Sequence, residues 1–189
     1  MRRMKLIGIA GTNGSGKDTV GQLLASKHSF LFVSVTEMLR EECRKRGLPV
    51  ERENLRMISA EWRRDGGLGV LVDRAVEVFN RGGNGHQGLA VASLRNPGEN
   101  DRVHELGGKV LWIDADPRVR YDRIQSVNRG RSEEDAKSFR QFLAEEEAEM
   151  YPSGDAATLS MSGVKALCDV TIVNEGSTEE LEKQIAALI

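Results

Sequence analysis

The stretch that most constrains this chain is Lys5 to Thr19, KLIGIAGTNGSGKDT. Leu6-Ile7-Gly8-Ile9-Ala10 is a short apolar run, as expected of a strand buried on both faces of a parallel sheet. Gly11-Thr12-Asn13-Gly14-Ser15-Gly16-Lys17 then fits the Walker A spacing G-x-x-x-x-G-K. Glycine lets such a loop wrap closely round an anion, because a Cβ would block the backbone. The N–H groups point inward, and the next helix adds its positive N-terminal end. Gly11, Asn13, Gly14, Ser15, Gly16 and Lys17 are therefore nucleotide-binding candidates, with Lys17 reaching the β- and γ-phosphates. The bland alternative is a glycine-rich turn without a ligand. The position between a buried strand and an amphipathic helix argues against it.

In most such loops a Ser or Thr follows the lysine and binds Mg²⁺ through its hydroxyl. Here Asp18 follows, and Thr19 comes next. GKDT resembles the adenylate-kinase loop GKGT, and that resemblance makes Thr19 the candidate hydroxyl for the metal. Asp18 either adds a carboxylate to the metal's water shell or favours the positive end of the helix.

The 189 residues suffice for one domain, 1–189, with a sizeable core. A net charge of −2 advertises no nucleic-acid or membrane surface. No apolar run approaches a membrane span, and the basic Met1–Lys5 leads into the phosphate loop instead of a signal sequence. A cytoplasmic protein, monomeric or a small homo-oligomer, is expected. Cys43 and Cys168 have no C-x-x-C spacing and read as idle thiols of a reducing compartment. His28, His86 and His104 are too scattered to suggest zinc.

Apolar periodicity divides the rest of the chain. Val20 to Lys27 continues the phosphate-loop helix, and Phe30–Val33 is a second strand. Helices are expected from Ser34 to Arg46, Glu53 to Arg64 and Leu68 to Asn80. Gly88–Ser93 is a third strand. Asn96-Pro97-Gly98-Glu99 is a capping box opening a helix through Leu106. Val110–Asp114 is a fourth strand, and Asp116-Pro117 starts a helix with Val119 and Ile124. Ser132-Glu133-Glu134-Asp135 resembles another cap, leading into a long acidic helix that ends near Met150. Tyr151 to Ser162 reads as a loop, Val170–Val173 as a fifth strand, and Ser177–Glu180 as the cap of a last helix. Trp62 and Trp112 read as core residues.

Five short strands alternating with helices predict an α/β fold of P-loop NTPase type, a doubly wound five-stranded parallel sheet. Two helical insertions are expected, at 36–87 and 125–162. Both begin at the carboxyl edge, where ligands bind on such sheets.

Several segments together resemble the P-loop nucleoside monophosphate kinases, of adenylate-kinase-like or dephospho-CoA-kinase-like type. GKDT is similar to the GKGT loop of adenylate kinases, whose threonine stands one place later than usual. VSVTEMLREE resembles a stretch in which an arginine, here Arg40, grips the acceptor phosphate. ASLRNPGE resembles the end of the third strand, whose arginine, here Arg95, contacts the same phosphate. DADPRVRYDRI followed by RGR resembles the start of the lid, with Arg123, Arg129 and Arg131 closing on the transferred phosphoryl group. CDVTIVNEGSTEEL resembles the segment beside the donor base, which implicates Asn174 and Gly176.

The resemblance implies an ATP- and Mg²⁺-dependent phosphotransferase acting on a small phosphorylated acceptor, most naturally a nucleoside or deoxynucleoside monophosphate. It makes 36–87 the acceptor-binding insertion and 125–162 the lid. Lys17, Arg95, Arg129 and Arg131 become catalytic candidates, and Arg40 and Arg95 acceptor-binding ones. The chain departs from the pattern twice. Ala92 and Ser93 stand where adenylate kinases carry an Asp near the metal, leaving either Asp18 or Asp114 as a substitute, or the phosphates, Thr19 and water as the main holders of Mg²⁺. Thr36-Glu37 replaces the usual Gly-Asp before Met38. Two alternatives stay open. One is a dephospho-CoA-kinase-like enzyme with a hydroxyl acceptor, for which Glu37 is a candidate base. The other is a nucleotide-dependent switch or assembly ATPase.

Overall fold

The computed structural model describes residues 4–83, 85–126 and 137–189. Its centre is a five-stranded sheet, β1 (Lys5–Gly11), β2 (Phe30–Ser34), β3 (Gly88–Leu94), β4 (Lys109–Asp114) and β5 (Val170–Val173), in the order β2-β3-β1-β4-β5. Every pairing is parallel. This is the expected α/β architecture. β1 lies in the middle, so its Leu6–Gly11 are buried, and all seven residues of β3 are buried.

Alternation along the strands feeds two cores. Ile7, Ile9, Ala90, Ala92, Leu111 and Ile113 pack with Val20 and Leu24 of α1 (Lys17–His28) and Leu181 and Ile185 of α9 (Thr178–Ala186). Leu6, Ala10, Leu89, Val91, Val110 and Trp112 face the other way. They meet Leu39 of α2 (Val35–Lys45), Ile58 and Trp62 of α3 (Arg52–Gly66), Leu71 of α4 (Val70–Gly82) and Val103 of α5 (Pro97–Glu105). Trp62 and Trp112 are core residues, as expected.

The capping boxes at Asn96–Glu99 and Ser177–Glu180 both form. Beyond β4 come α6 (Pro117–Ser126), α7 (Phe139–Met150) and α8 (Met161–Ala166). Two boundaries differ from expectation by more than a couple of residues. The described part of the acidic helix starts at Phe139, where Ser138 and Gln141 form the capping box. The cap expected at Ser132 lies outside the described residues. The loop expected through Ser162 gives way at Met161 to α8, a helix too short for its periodicity to stand out, though Met161 and Val164 are buried. No described helix is long and apolar enough to cross a membrane.

α2, α3 and α4 fill the interval between β2 and β3, and α7 follows β4 and α6. Part of the segment expected to form a lid is built into the wall of the site. Asn96 Nδ2 donates to the carbonyls of Ala156 and Thr158 at 2.7 and 2.8 Å. Ser160 N donates to the Arg95 carbonyl at 3.0 Å.

Candidate phosphotransfer site

The phosphate loop links the buried β1 to α1, so its backbone is set at the carboxyl edge of the central strand. Gly14 and Gly16 take φ of 77° and 96°, left-handed values that favour glycine. A Cβ on Gly16 would stand 2.3 Å from Asn174 Nδ2. That amide donates to the Ser15 carbonyl at 2.8 Å, pinning the loop to the end of β5. Asn174 is thus placed beneath the loop. Gly176 packs against the Glu180 carboxylate of the α9 cap.

The Lys17 ammonium turns back into the loop and donates to the Thr12 carbonyl at 2.8 Å. Burial, reinforced by the nearby Arg95, lowers its pKa to about 7. The hydroxyls of Thr12 and Ser15 are buried without a hydrogen-bond partner among the described residues. Buried polar atoms are normally satisfied, so these fit a loop completed by a ligand. Asp18 and Thr19 line a cleft of about 320 Å³ together with Lys17, Glu37, Arg40 and Arg95. One hydroxyl and one carboxylate suit Mg²⁺, which keeps much of its water and takes phosphate oxygens as further ligands. Asp114 is directed elsewhere, with its carboxylate on Lys165 at 3.2 Å.

The two expected acceptor arginines converge. Arg95 leaves the end of β3 and Arg40 comes from α2; both line the phosphate-loop cleft and the adjoining pocket over α3. Arg40 pairs with Glu37. Arg95 Nη1 donates to Glu149 of α7 at 2.8 Å. Its backbone is fixed as well, since Arg95 N donates to the buried Glu99 carboxylate at 2.7 Å. Arg123 Nη1, on α6, is buried without a partner among the described residues. Arg129 and Arg131 lie outside the described residues.

Several residues that build the site escape sequence reasoning. Arg52 and Arg56, one helical turn apart on α3, reach Glu149 Oε1 at 3.4 and 2.7 Å. Their spacing of four, just after Pro49, is a signal visible only in hindsight. Arg63 of α3 is 2% exposed and donates to the fully buried Glu99 at 2.7 and 3.0 Å. Arg120 of α6 supports the phosphate loop from outside. Its Nε donates to the Ala115 carbonyl at 2.8 Å, Nη2 to Glu146 at 2.8 Å, and Nη1 reaches the Asn13 carbonyl at 3.4 Å. Ser93 takes a left-handed φ of 72° where the β1–β3 register slips. That bulge sets Ser93 in the wall shared by both pockets.

The comparisons with known proteins agree with this fold. The family described as AAA domain matches residues 7–151. A UPF0200 protein of Pyrococcus abyssi is 30% identical over 188 residues, covering 97% of this chain and 95% of that protein. Among solved structures, shikimate kinase from Bacteroides thetaiotaomicron superposes with a TM-score of 0.64 at 13% identity, over 98% of each chain. Shikimate kinase from Acinetobacter baumannii in complex with shikimate gives 0.56 at 17% identity, over 99% of this chain and 93% of that one. At such identities the likeness is one of fold. The chain belongs to the UPF0200 family and has a P-loop kinase-like domain at its core.

Proposed function

We propose that the protein is an ATP-dependent phosphotransferase that moves the γ-phosphoryl group to a small phosphorylated acceptor, a nucleoside or deoxynucleoside monophosphate being the simplest. The observation that carries this reading is the meeting of Lys17 with Arg40 and Arg95 around one cleft. A donor-phosphate lysine and two arginines suited to bidentate anion binding line one space open to a small molecule.

Bound Mg²⁺ would neutralise charge on the β- and γ-phosphates of ATP. The protein's part is positioning and electrostatics, which dominate phosphoryl transfer. The loop amides and Lys17 hold the donor. Thr19 and Asp18 orient the metal's water shell. Arg40 and Arg95 align the acceptor oxygen for in-line attack. The Arg123 guanidinium is a further donor for the donor phosphates. An acceptor that is itself a phosphate needs no general base, and Glu37, held by Arg40, fits a supporting role better than that of a base.

The test is a panel of nucleoside and deoxynucleoside monophosphates and dephospho-CoA, each with ATP and Mg²⁺, scored for acceptor-dependent ADP formation. Transfer to a monophosphate supports the reading. Turnover indifferent to every acceptor removes it in favour of a switch.

A further inference from the structure

Outside the phosphate loop, an unusual group among the described residues is the Glu149 carboxylate. It projects from the last turn of α7 and is 12% exposed. Three guanidiniums converge on it. Arg56 donates to Oε1 at 2.7 Å, Arg95 to Oε2 at 2.8 Å, and Arg52 reaches Oε1 at 3.4 Å. These arginines come from two separate parts of the chain, the start of α3 and the end of β3. Burial pushes the carboxyl up, but Arg95, Arg52 and Arg56 outweigh it and hold the pKa at about 2. Glu149 therefore stays ionised at any ordinary pH.

A carboxylate held through both oxygens by converging arginines has the stereochemistry of a bound anionic ligand. One of its partners is Arg95, assigned above to the acceptor. An acceptor phosphate cannot pair with Arg95 Nη1 while Glu149 holds it, and the two negative charges would repel at contact distance. We propose that Glu149 is a built-in occupant of the acceptor's anion seat, which the acceptor displaces from Arg52, Arg56 and Arg95 on binding, and that this exchange selects a dianionic phosphate over a monocarboxylate. The proposal rests on the acceptor reading of Arg95.

The selectivity follows from tethering. Glu149 is covalently part of the protein, so it competes at a high effective concentration. A free carboxylate offers the arginines the same charge and shape and gains nothing over it. A phosphate dianion offers twice the charge and a third oxygen to the same three guanidiniums. The occupant thus works against the wrong ligand as well as for the right one. Its neighbours share the arrangement. Glu145 takes Arg52 at 3.1 Å and Glu146 takes Arg120 Nη2 at 2.8 Å, so α7 stays docked through other pairs when Glu149 alone is displaced.

The experiment keeps the phosphate loop filled with Mg²⁺ and a non-hydrolysable ATP analogue. Inorganic phosphate and, separately, acetate are titrated at about pH 8, where phosphate is mainly a dianion. The unaltered protein should bind phosphate at least tenfold more tightly than acetate. Glu149→Gln should tighten phosphate binding tenfold or more, and adding Arg95→Ala should remove that gain. Phosphate binding that needs Arg95 but is no tighter in Glu149→Gln overturns the displacement and leaves the acceptor seat standing. Absence of any Arg95-dependent phosphate binding, in either protein, overturns both. Should Glu149→Gln not fold, hydrogen exchange in the unaltered protein decides. Saturating phosphate should speed exchange of the amides around Glu149 in α7. Unchanged or slower exchange would make Glu149 a partner of the bound anion and overturn its displacement.

Discussion

In the proposed reaction, Lys17 and Arg95 meet the same anionic chemistry under different constraints. Lys17 is half-buried, and desolvation of its ammonium lowers its pKa to about 7, so near neutrality much of it is uncharged before nucleotide arrives. Adjacent phosphates favour the ammonium form, so nucleotide binding above pH 7 should take up a proton. Calorimetry in two buffers of different ionisation enthalpy measures that uptake, and Lys17→Arg should abolish it. The linkage also acts on stability. The unfolded lysine holds its proton up to about pH 10.4 and the folded one only to about 7. The unfolded state therefore binds more protons in that window, and the ligand-free protein should gain stability relative to Lys17→Met as pH rises from 7 toward 10. Lys17→Ala should cost at least about a hundredfold in turnover, the scale of one lost electrostatic contact to the transition state, with the melt intact. Arg95→Lys keeps the charge but loses the fork. A fall of about ten- to a hundredfold in kcat/KM for the acceptor is expected, with ATP affinity nearly unchanged. Normal acceptor kinetics would make Arg95 a purely structural residue.

At the scale of elements, the join between β3 and α5 is the hub of the site. Glu99 belongs to the capping box, and its carboxylate also takes Arg95 N, Asn96 N and the Arg63 guanidinium. Arg63 passes the connection on to the Ala157 carbonyl at 2.9 Å. One buried carboxylate thus ties strand, helix and acceptor wall together. Glu99→Gln would leave Arg63 buried without its counter-charge, which costs about 3–5 kcal/mol. A thermal melt should show it, and Glu99→Gln with Arg63→Met should recover much of the loss. Half of this hub was legible in the sequence, because Asn96-Pro97-Gly98-Glu99 is a local pattern read from consecutive residues. The other half was not, because Arg63 lies 36 residues away and nothing local marks a long-range pair. The same distinction runs through the molecule. Strands and caps follow from local periodicity and turn chemistry. Glu149 and Arg120 read as ordinary charged positions on helices, and only the way α6 and α7 fold back over the loop gives them a role. Even Arg52 and Arg56, correctly spaced for a common face, carried no sign of which face it was.

The whole molecule responds to ligand as one cooperative unit if the loop, the insertions and the sheet share their hydrogen bonds as described. Nucleotide at a hundred times its dissociation constant should add about 2.7 kcal/mol of stability. For a domain of this size that is a rise of roughly 5–10 °C in Tm, and Lys17→Ala should lose most of it. The hydrogen bond from Asn174 to Ser15 extends across 159 residues of chain. During synthesis the phosphate loop leaves the ribosome well before its anchor. A nascent chain that ends before Asn174 has the glycines and the lysine but not the pin that fixes their backbone. If that pin is needed to hold the loop in its binding form, nucleotide capture comes only once the sheet is completed through β5.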